Sequence, residues 1–306
     1  MRKFFQVLIW YLFTAFKLLV LIWHKILPSD NKFFRYFKIK AENFIFFSPR
    51  VYKVSYIRKE VKQSVEQIRL FTKDMVRLYA AYLEAEEGKP TVIFFHGQSE
   101  NITKWQDTLL FLKKLGYGAL FLSYRGHFKS AGRPSEQGVY TDAETAVEFL
   151  LKKGIKENDI ILWGRSLGSA AALQTALKYK VGCVIIESGI LDIKTAAKSV
   201  FKRYIKIFHI HIIKDFIMWL ITSSEFLQKF NNKEKISKVD IPVLIIHAKN
   251  DEKINYEQAE ELHNENPDTK LILEEDGSHD RTDWAFSYIE EFLKENRNNE
   301  FTDIHT

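Results

Sequence analysis

A single cysteine, Cys183, occurs in 306 residues, so no intramolecular disulfide can staple the fold and no cysteine-rich zinc site can form. Six prolines and 13 glycines are too few for a fibrous or low-complexity chain. Apolar residues make up 46% and charged residues 27%, which excludes intrinsic disorder for most of the length. Positive charge is scarce wherever it would signal nucleic-acid binding. Residues 1–63 hold 13 Lys+Arg against 3 Asp+Glu, a net of +10, so the whole-chain charge of +6 leaves −4 for the remainder. The later part therefore gives no electrostatic reason to expect DNA or RNA. The basic excess lies beside the N-terminus, where it points to anionic lipid.

What is present at the N-terminus reads as a membrane anchor. From Phe4 to Trp23 the strongly polar residues are Gln6, Thr14 and Lys17 alone. About 20 residues at 1.5 Å rise cross a hydrocarbon core about 30 Å thick. Trp23 falls where an interfacial aromatic belt belongs, and Lys17 is close enough to the end to snorkel. A surface-lying amphipathic helix and a cleaved signal peptide are the alternatives, although no small-x-small cleavage site follows the run. Lys25, Lys32, Arg35, Lys38 and Lys40 follow the span and outnumber Arg2 and Lys3 before it, so the positive-inside rule places the C-terminal domain on the cytoplasmic side of a single-pass protein.

Beyond residue 63 strand and helix signals alternate, with no internal repeat. Val65–Thr72 and Met75–Ala85 flank Lys73-Asp74 and read as a hairpin. Thr91–Phe95, Ala119–Ser123, Ile160–Trp163, Val184–Glu187, Val243–His247 and Lys270–Leu273 read as buried strands. Helical spacing appears over Ile102–Leu115, Asp142–Lys153, Leu167–Tyr179, Tyr256–Asn264 and Trp284–Asn296, with a polar, frayed tail after Arg297. Two antiparallel strands followed by repeated strand–helix units predict an α/β fold: a mostly parallel sheet with helices on both faces.

The chemistry is concentrated in Gly164-Arg165-Ser166-Leu167-Gly168, a G-x-S-x-G pattern between a strand and a helix. A serine hydroxyl is a poor nucleophile and needs exposure, a base and donors for an oxyanion. A sharp strand-to-helix turn exposes the serine, and flanking glycines let strand and helix approach. An acid and a base should follow in that order. Asp251 falls in the loop after Val243–His247, and His279 in the loop after Lys270–Leu273. Both are C-terminal strand ends, where open α/β sheets hold their sites. Ser166, Asp251 and His279 therefore form the expected nucleophile, orienting acid and base, with Asp276 and Asp280 as rival acids. Two backbone N–H groups should stabilise the oxyanion: Leu167, after the nucleophile, and Gln98, in the loop after Thr91–Phe95, with Ser99 as the second choice there. His96 reads as a structural hydrogen-bonding residue. This chemistry calls for no cofactor and no metal.

Together, His96-Gly97, Ser123-Tyr124-Arg125-Gly126, Gly164–Gly168, Asp251 and Gly277-Ser278-His279 resemble the α/β-hydrolase superfamily. The stretch Tyr124–Gly138 is more specific. It resembles the subgroup of membrane-anchored α/β-hydrolase domain-containing proteins and protein depalmitoylases, often labelled serine-aminopeptidase-like. The resemblance spans about Val65 to Leu293. It implies an α/β-hydrolase fold, a Ser166–Asp251–His279 triad and hydrolysis of ester, thioester or amide bonds. Arg125 is expected to anchor its loop through an ion pair.

About 50 residues separate the strands ending at Glu187 and starting at Val243, where this fold inserts a cap. Phe201–Leu220 is dense in aromatic and aliphatic residues, with Lys198, Lys202, Arg203, Lys206 and Lys214 interleaved. Such a segment can lie on an anionic membrane, wall an acyl pocket or pack as an ordinary cap. The expected organisation is an anchor and basic connector over 1–63 with its span at about 4–23, a hydrolase domain over 64–297 with a small helical cap at about 191–238, and a polar tail over 298–306. The expected function is a membrane-anchored serine hydrolase acting on small-molecule or lipidated acyl esters or thioesters. A serine aminopeptidase-like amide hydrolase is the alternative within enzymes, and a non-catalytic binding module the alternative outside them. The expected partners are that substrate and membrane lipid, with no nucleic acid.

Overall fold

The computed structural model describes residues 57–98, 100, 103–199 and 230–302. The expected span at 4–23 and most of the basic cap segment lie outside them. Among the described residues no helix is long and apolar enough to cross a membrane.

Eight strands form one sheet in the order β1-β2-β4-β3-β5-β6-β7-β8. They are β1 Glu66–Phe71, β2 Arg77–Leu83, β3 Thr91–Phe95, β4 Gly118–Ser123, β5 Ile160–Arg165, β6 Cys183–Glu187, β7 Val243–Ala248 and β8 Lys270–Glu274. β2 runs antiparallel to both β1 and β4, and every other pairing is parallel. The C-terminal ends of β1 and β3 to β8 consequently open on one edge. The expected strands match the observed ones to within one or two residues, because unbroken apolar runs bounded by turns have few other ways to bury themselves.

Alternation within each central strand divides its side chains between two cores. Ile93, Phe95, Ile160 and Leu162 face one side with residues of α3 Glu136–Lys152, α4 Gly168–Ala176 and α6 Glu257–Glu265. Val92, Phe94, Ile161 and Trp163 face the other, with residues of α1 Lys59–Ser64, α2 Gln106–Lys114 and α7 Phe286–Thr302. The small α5 Asn232–Ile236 precedes β7, and residues 193–199 are helical, so helices stand at both ends of the expected cap.

Of the boundaries that differ from the sequence expectation, among them the start of α2 at Gln106 rather than Ile102 and the end of α4 at Ala176 rather than Tyr179, three have identifiable reasons. α3 starts at Glu136 rather than Asp142, because Ser135 caps it by accepting from Gly138 N at 3.1 Å and the first turns bury Val139 and Tyr140. α7 continues through Thr302, past Arg297, with no proline or glycine to stop it. The expected connector yields its last residues to the domain. Val61 of α1 is fully buried in the second core, and Arg58 bonds Gln106 and Asp107 of α2 at 2.6 and 2.7 Å. Val61→Ala should therefore destabilise the protein by about 1–3 kcal/mol in urea unfolding, while Gln63→Ala on the exposed side stays within about 0.5 kcal/mol of the parent.

Candidate active site

β5 delivers Gly164 and Arg165 to the sheet edge, and α4 begins at Gly168, so Ser166 and Leu167 must reverse the chain. Ser166 does so at φ 51°, in the left-handed region that side-chain-bearing residues seldom adopt. Such strain persists where the surroundings enforce it, and it gathers at active sites. The glycines supply the room. A Cβ on Gly164 would lie 2.5 Å from Gly168 O, and one on Gly168 would lie 2.0 Å from Phe95 O. Ser166 N donates to Glu187 O at 2.9 Å, and Ser166 O accepts from Ser169 Oγ at 2.6 Å, which pins both sides of the turn. Leu167 leads into the helix, where Ser169 N and Ala170 N donate to Ser166 O and Leu167 O at 3.1 and 3.2 Å.

The loop after β3 passes beside this turn. A Cβ on Gly97 would lie 3.2 Å from Ser166 Cβ, so the absence of a side chain there lets the loop reach the serine. Gln98 follows directly in a turn, and Ser99 lies outside the described residues. His96 is buried, with Nδ1 2.8 Å from Gly97 O, the structural role expected of it.

Asp251 and His279 meet at the same edge. His279 Nδ1 lies 2.7 Å from Asp251 Oδ2. Asp251 Oδ1 accepts from Lys253 N and Ile254 N, each at 2.8 Å, so backbone amides hold the carboxylate in place. His247, at the end of β7, brings Nε2 to 3.2 Å from Asp251 Oδ2 and 3.0 Å from Ile254 O. Burial works to raise the Asp251 carboxyl, but the hydrogen bonds from His247 and His279 outweigh it and hold the group well below the usual carboxylate range. Of the rival acids, one is paired elsewhere and the other is exposed. Asp280 pairs with Lys253 at 2.6 Å and Lys104 at 3.1 Å, and Asp276 is exposed.

Sequence reasoning missed what lies beneath the turn. Arg165, the variable residue before Ser166, is fully buried between two carboxylates: Nη1 is 2.9 Å from Glu100 Oε1 and Nε is 3.1 Å from Glu187 Oε1. Its guanidinium stacks on Trp105, 4.3 Å from the ring centroid. Glu100 reaches back to Gly97 N at 2.8 Å and also binds Lys104 at 2.9 Å, whose ammonium continues to Asp280 beside His279. Glu187 accepts from Trp163 Nε1 at 3.0 Å and from Thr282 Oγ1 at 2.7 Å. One charge network thus ties together the β3 loop, the serine turn, the end of β6 and the histidine loop. Burial raises the Glu100 carboxyl, but Arg165 and Lys104 more than offset it and hold it below its ordinary value. At Glu187 burial prevails and lifts the carboxyl above its ordinary value. The signal was available: an arginine and a glutamate closing otherwise apolar buried strands require partners. Arg125 does form the expected ion pair, with Asp74 at 2.7 Å and with buried Asp142 at 2.8 Å. Among the described residues no group of three or more His, Cys, Asp or Glu could hold a metal ion.

A family model described as "Serine aminopeptidase, S33" matches residues 86–220. Over 201 residues the chain is 29% identical to protein bem46 of Schizosaccharomyces pombe, covering 63% of each. Over 151 residues it is 31% identical to the uncharacterised membrane protein YNL320W of Saccharomyces cerevisiae, covering 47% of this chain and 53% of that one. The chain thus spans less than two thirds of these relatives. Among solved structures, the Pyrococcus furiosus esterase Pf2001 superposes with a TM-score of 0.64 at 22% identity, covering 81% of this chain and 97% of that one, a likeness that establishes the fold.

Removing the central cation tests the network. Arg165→Met should cost about 3–5 kcal/mol, since two buried carboxylates lose their shared partner. Those carboxylates then favour their protonated forms in the folded state, which binds more protons than the unfolded chain. The deficit should therefore be smaller at pH 5 than at pH 8 in paired thermal melts, and a deficit independent of pH would contradict this assignment of charge.

Proposed function

We propose that this chain, which a serine aminopeptidase S33 family model matches over residues 86–220, is a membrane-anchored serine hydrolase of the α/β-hydrolase superfamily that cleaves acyl esters or thioesters through Ser166, His279 and Asp251. The observation that carries this reading is the His279–Asp251 bond at 2.7 Å, formed on the sheet edge where Ser166 sits at positive φ on its glycine-flanked turn. Asp251 engages Nδ1 and leaves Nε2 to serve as the base. Ser166 Oγ attacks the acyl carbon as His279 takes its proton, and the carbonyl oxygen becomes an oxyanion. The N–H groups of Leu167 and Gln98 are the donors assigned to it. Collapse returns the proton to the leaving alcohol or thiol and leaves an acyl-serine. Water, deprotonated by the same histidine, then releases the acid.

The anchor reading rests on the run Phe4–Trp23 and on the basic residues after it, which favour a cytoplasmic catalytic domain. Its relative YNL320W is described as a membrane protein, in keeping with that reading. An aliphatic-rich, basic segment inside the cap suits an acyl chain better than a free amine, which would call for an acidic pocket. The family description favours a second reading, amide hydrolysis of aminopeptidase type, by the same three residues.

Fluorophosphonate labelling of membranes containing the protein, followed by a panel of acyl esters, acyl thioesters and aminoacyl amides, separates these readings. Labelling should vanish in Ser166→Ala with the fold intact. Asp251→Asn should lower turnover by up to about 10⁴-fold, and Asp280→Asn or Asp276→Asn far less. Full labelling of Ser166→Ala, or a crippled Asp276→Asn beside a mildly affected Asp251→Asn, would reject the assignment. A profile led by aminoacyl amides would transfer the proposal to the second reading.

A further inference from the structure

The hairpin between β1 and β2 carries an exposed apolar tip that the fold itself does not use. Among the described residues the exposed large apolar side chains are Phe71, Met75 and Leu177, and two of the three flank this one turn. Met75 is 77% exposed and sits at φ 62°. That is the left-handed position at which a short hairpin loop ordinarily takes glycine. A long apolar side chain at this position gains nothing from burial within the domain and strains the backbone.

The tip is also held stiffly. Thr72 N donates to Val76 O at 3.0 Å, Met75 N to Thr72 O at 2.8 Å, and Val76 N to Thr72 Oγ1 at 2.9 Å. Asp74 accepts from Arg125 at 2.7 and 3.0 Å, and Arg125 is fastened in turn to buried Asp142. This turn follows the C-terminal end of β1, so it projects from the same edge as Ser166. Four strand spacings at about 4.8 Å place it about 20 Å along that edge from the end of β5. Below the tip, Arg69, Arg77 and Lys129 line one surface hollow with Tyr79. Its one acidic member, Glu66, is five residues back along β1.

We infer that this hairpin docks the domain on an anionic lipid bilayer, with Phe71 and Met75 entering the interfacial region and Arg69, Arg77 and Lys129 receiving headgroup phosphates. The chemistry selects that occupant. Two apolar side chains on a projecting, rigid tip above a cationic hollow complement a soft apolar layer beneath a negative surface. They do not form the broad patch that a stable protein interface requires. Docked this way, the edge bearing Ser166 lies against the bilayer. The inference concerns residues of the β1–β2 hairpin and Lys129, and stands whether or not Ser166 is the nucleophile.

The test is depth-resolved labelling of the full chain, reconstituted into vesicles of phosphatidylcholine with phosphatidylserine. Monobromobimane is placed on Met75→Cys, Phe71→Cys and, as a control, Leu177→Cys, which ends α4 at the opposite edge of the sheet. Cys183 is buried, and the unmutated chain reports its residual labelling. Spin-labelled lipid should quench the labels at positions 71 and 75 at least threefold more than the label at 177. The excess should disappear in pure phosphatidylcholine, and also when Arg69, Arg77 and Lys129 are replaced by Glu. Met75→Gly removes the strain, so it should raise the melting temperature while lowering quenching of the label at position 71. Equal quenching at all three sites, quenching indifferent to lipid charge, or an unchanged signal at 71 in the Met75→Gly variant would each overturn the inference. None of these measurements needs turnover, so their failure would leave the catalytic reading untouched.

Discussion

A guanidinium buried between two carboxylates is the constraint on which the site depends. Arg165 precedes the nucleophile candidate directly and is fully buried, with Glu100 on one side and Glu187 on the other. A charge in that position is tolerable only if nearby carboxylates offset its desolvation. The two carboxylates come from separate places: Glu100 from the loop that bears Gly97 and Gln98, and Glu187 from the end of β6, where it also accepts from Thr282, three residues after His279. Pairing Arg165 with both carboxylates therefore couples the positions of the serine turn, the β3 loop and the histidine loop. In an acyl-transfer site such positioning matters directly, since small displacements of reacting groups are expensive in rate.

The sheet makes that convergence possible. Parallel strands deliver β3, β5, β6, β7 and β8 to one edge, and each contributes a different element there: Gly97, Ser166, Glu187, Asp251 and His279. The apolar layers behind them bury both faces, so the edge loops extend from a stiff base. The antiparallel β1–β2 hairpin serves this edge as well. Through Asp74 it is joined to Arg125, whose backbone N and side chain both reach Asp142 within α3.

Much of this was legible in the sequence, and the reason is local. Continuous apolar runs such as Val243–His247 announce buried strands, and G-x-S-x-G announces its own turn because glycine is needed on both sides. Asp251 and His279 could be expected at one edge because chain order and strand ends restrict the choices, and they lie 2.7 Å apart there. The charge network was not read, since Glu100, Arg165 and Glu187 lie 65 and 22 residues apart in sequence, and only the tertiary fold brings them together. His247 was missed for a related reason. A histidine at the end of an apolar strand looks like core until the loop after it folds back to place Asp251 beside it. The start of α3 was missed because a serine cap followed closely by Gly138 resembles a loop.

The central claim, that Ser166 carries the acyl group, is tested most directly by trapping it. The full-length protein would be mixed with p-nitrophenyl octanoate, quenched in acid within the first turnovers and digested with trypsin, which cuts after Arg165 and Lys178. Tandem mass spectrometry should place an octanoyl group on Ser166 of the resulting peptide, absent after the same treatment of His279→Ala. Sustained hydrolysis with the acyl group on another residue, or with Ser166 unmodified throughout the burst, would contradict the account.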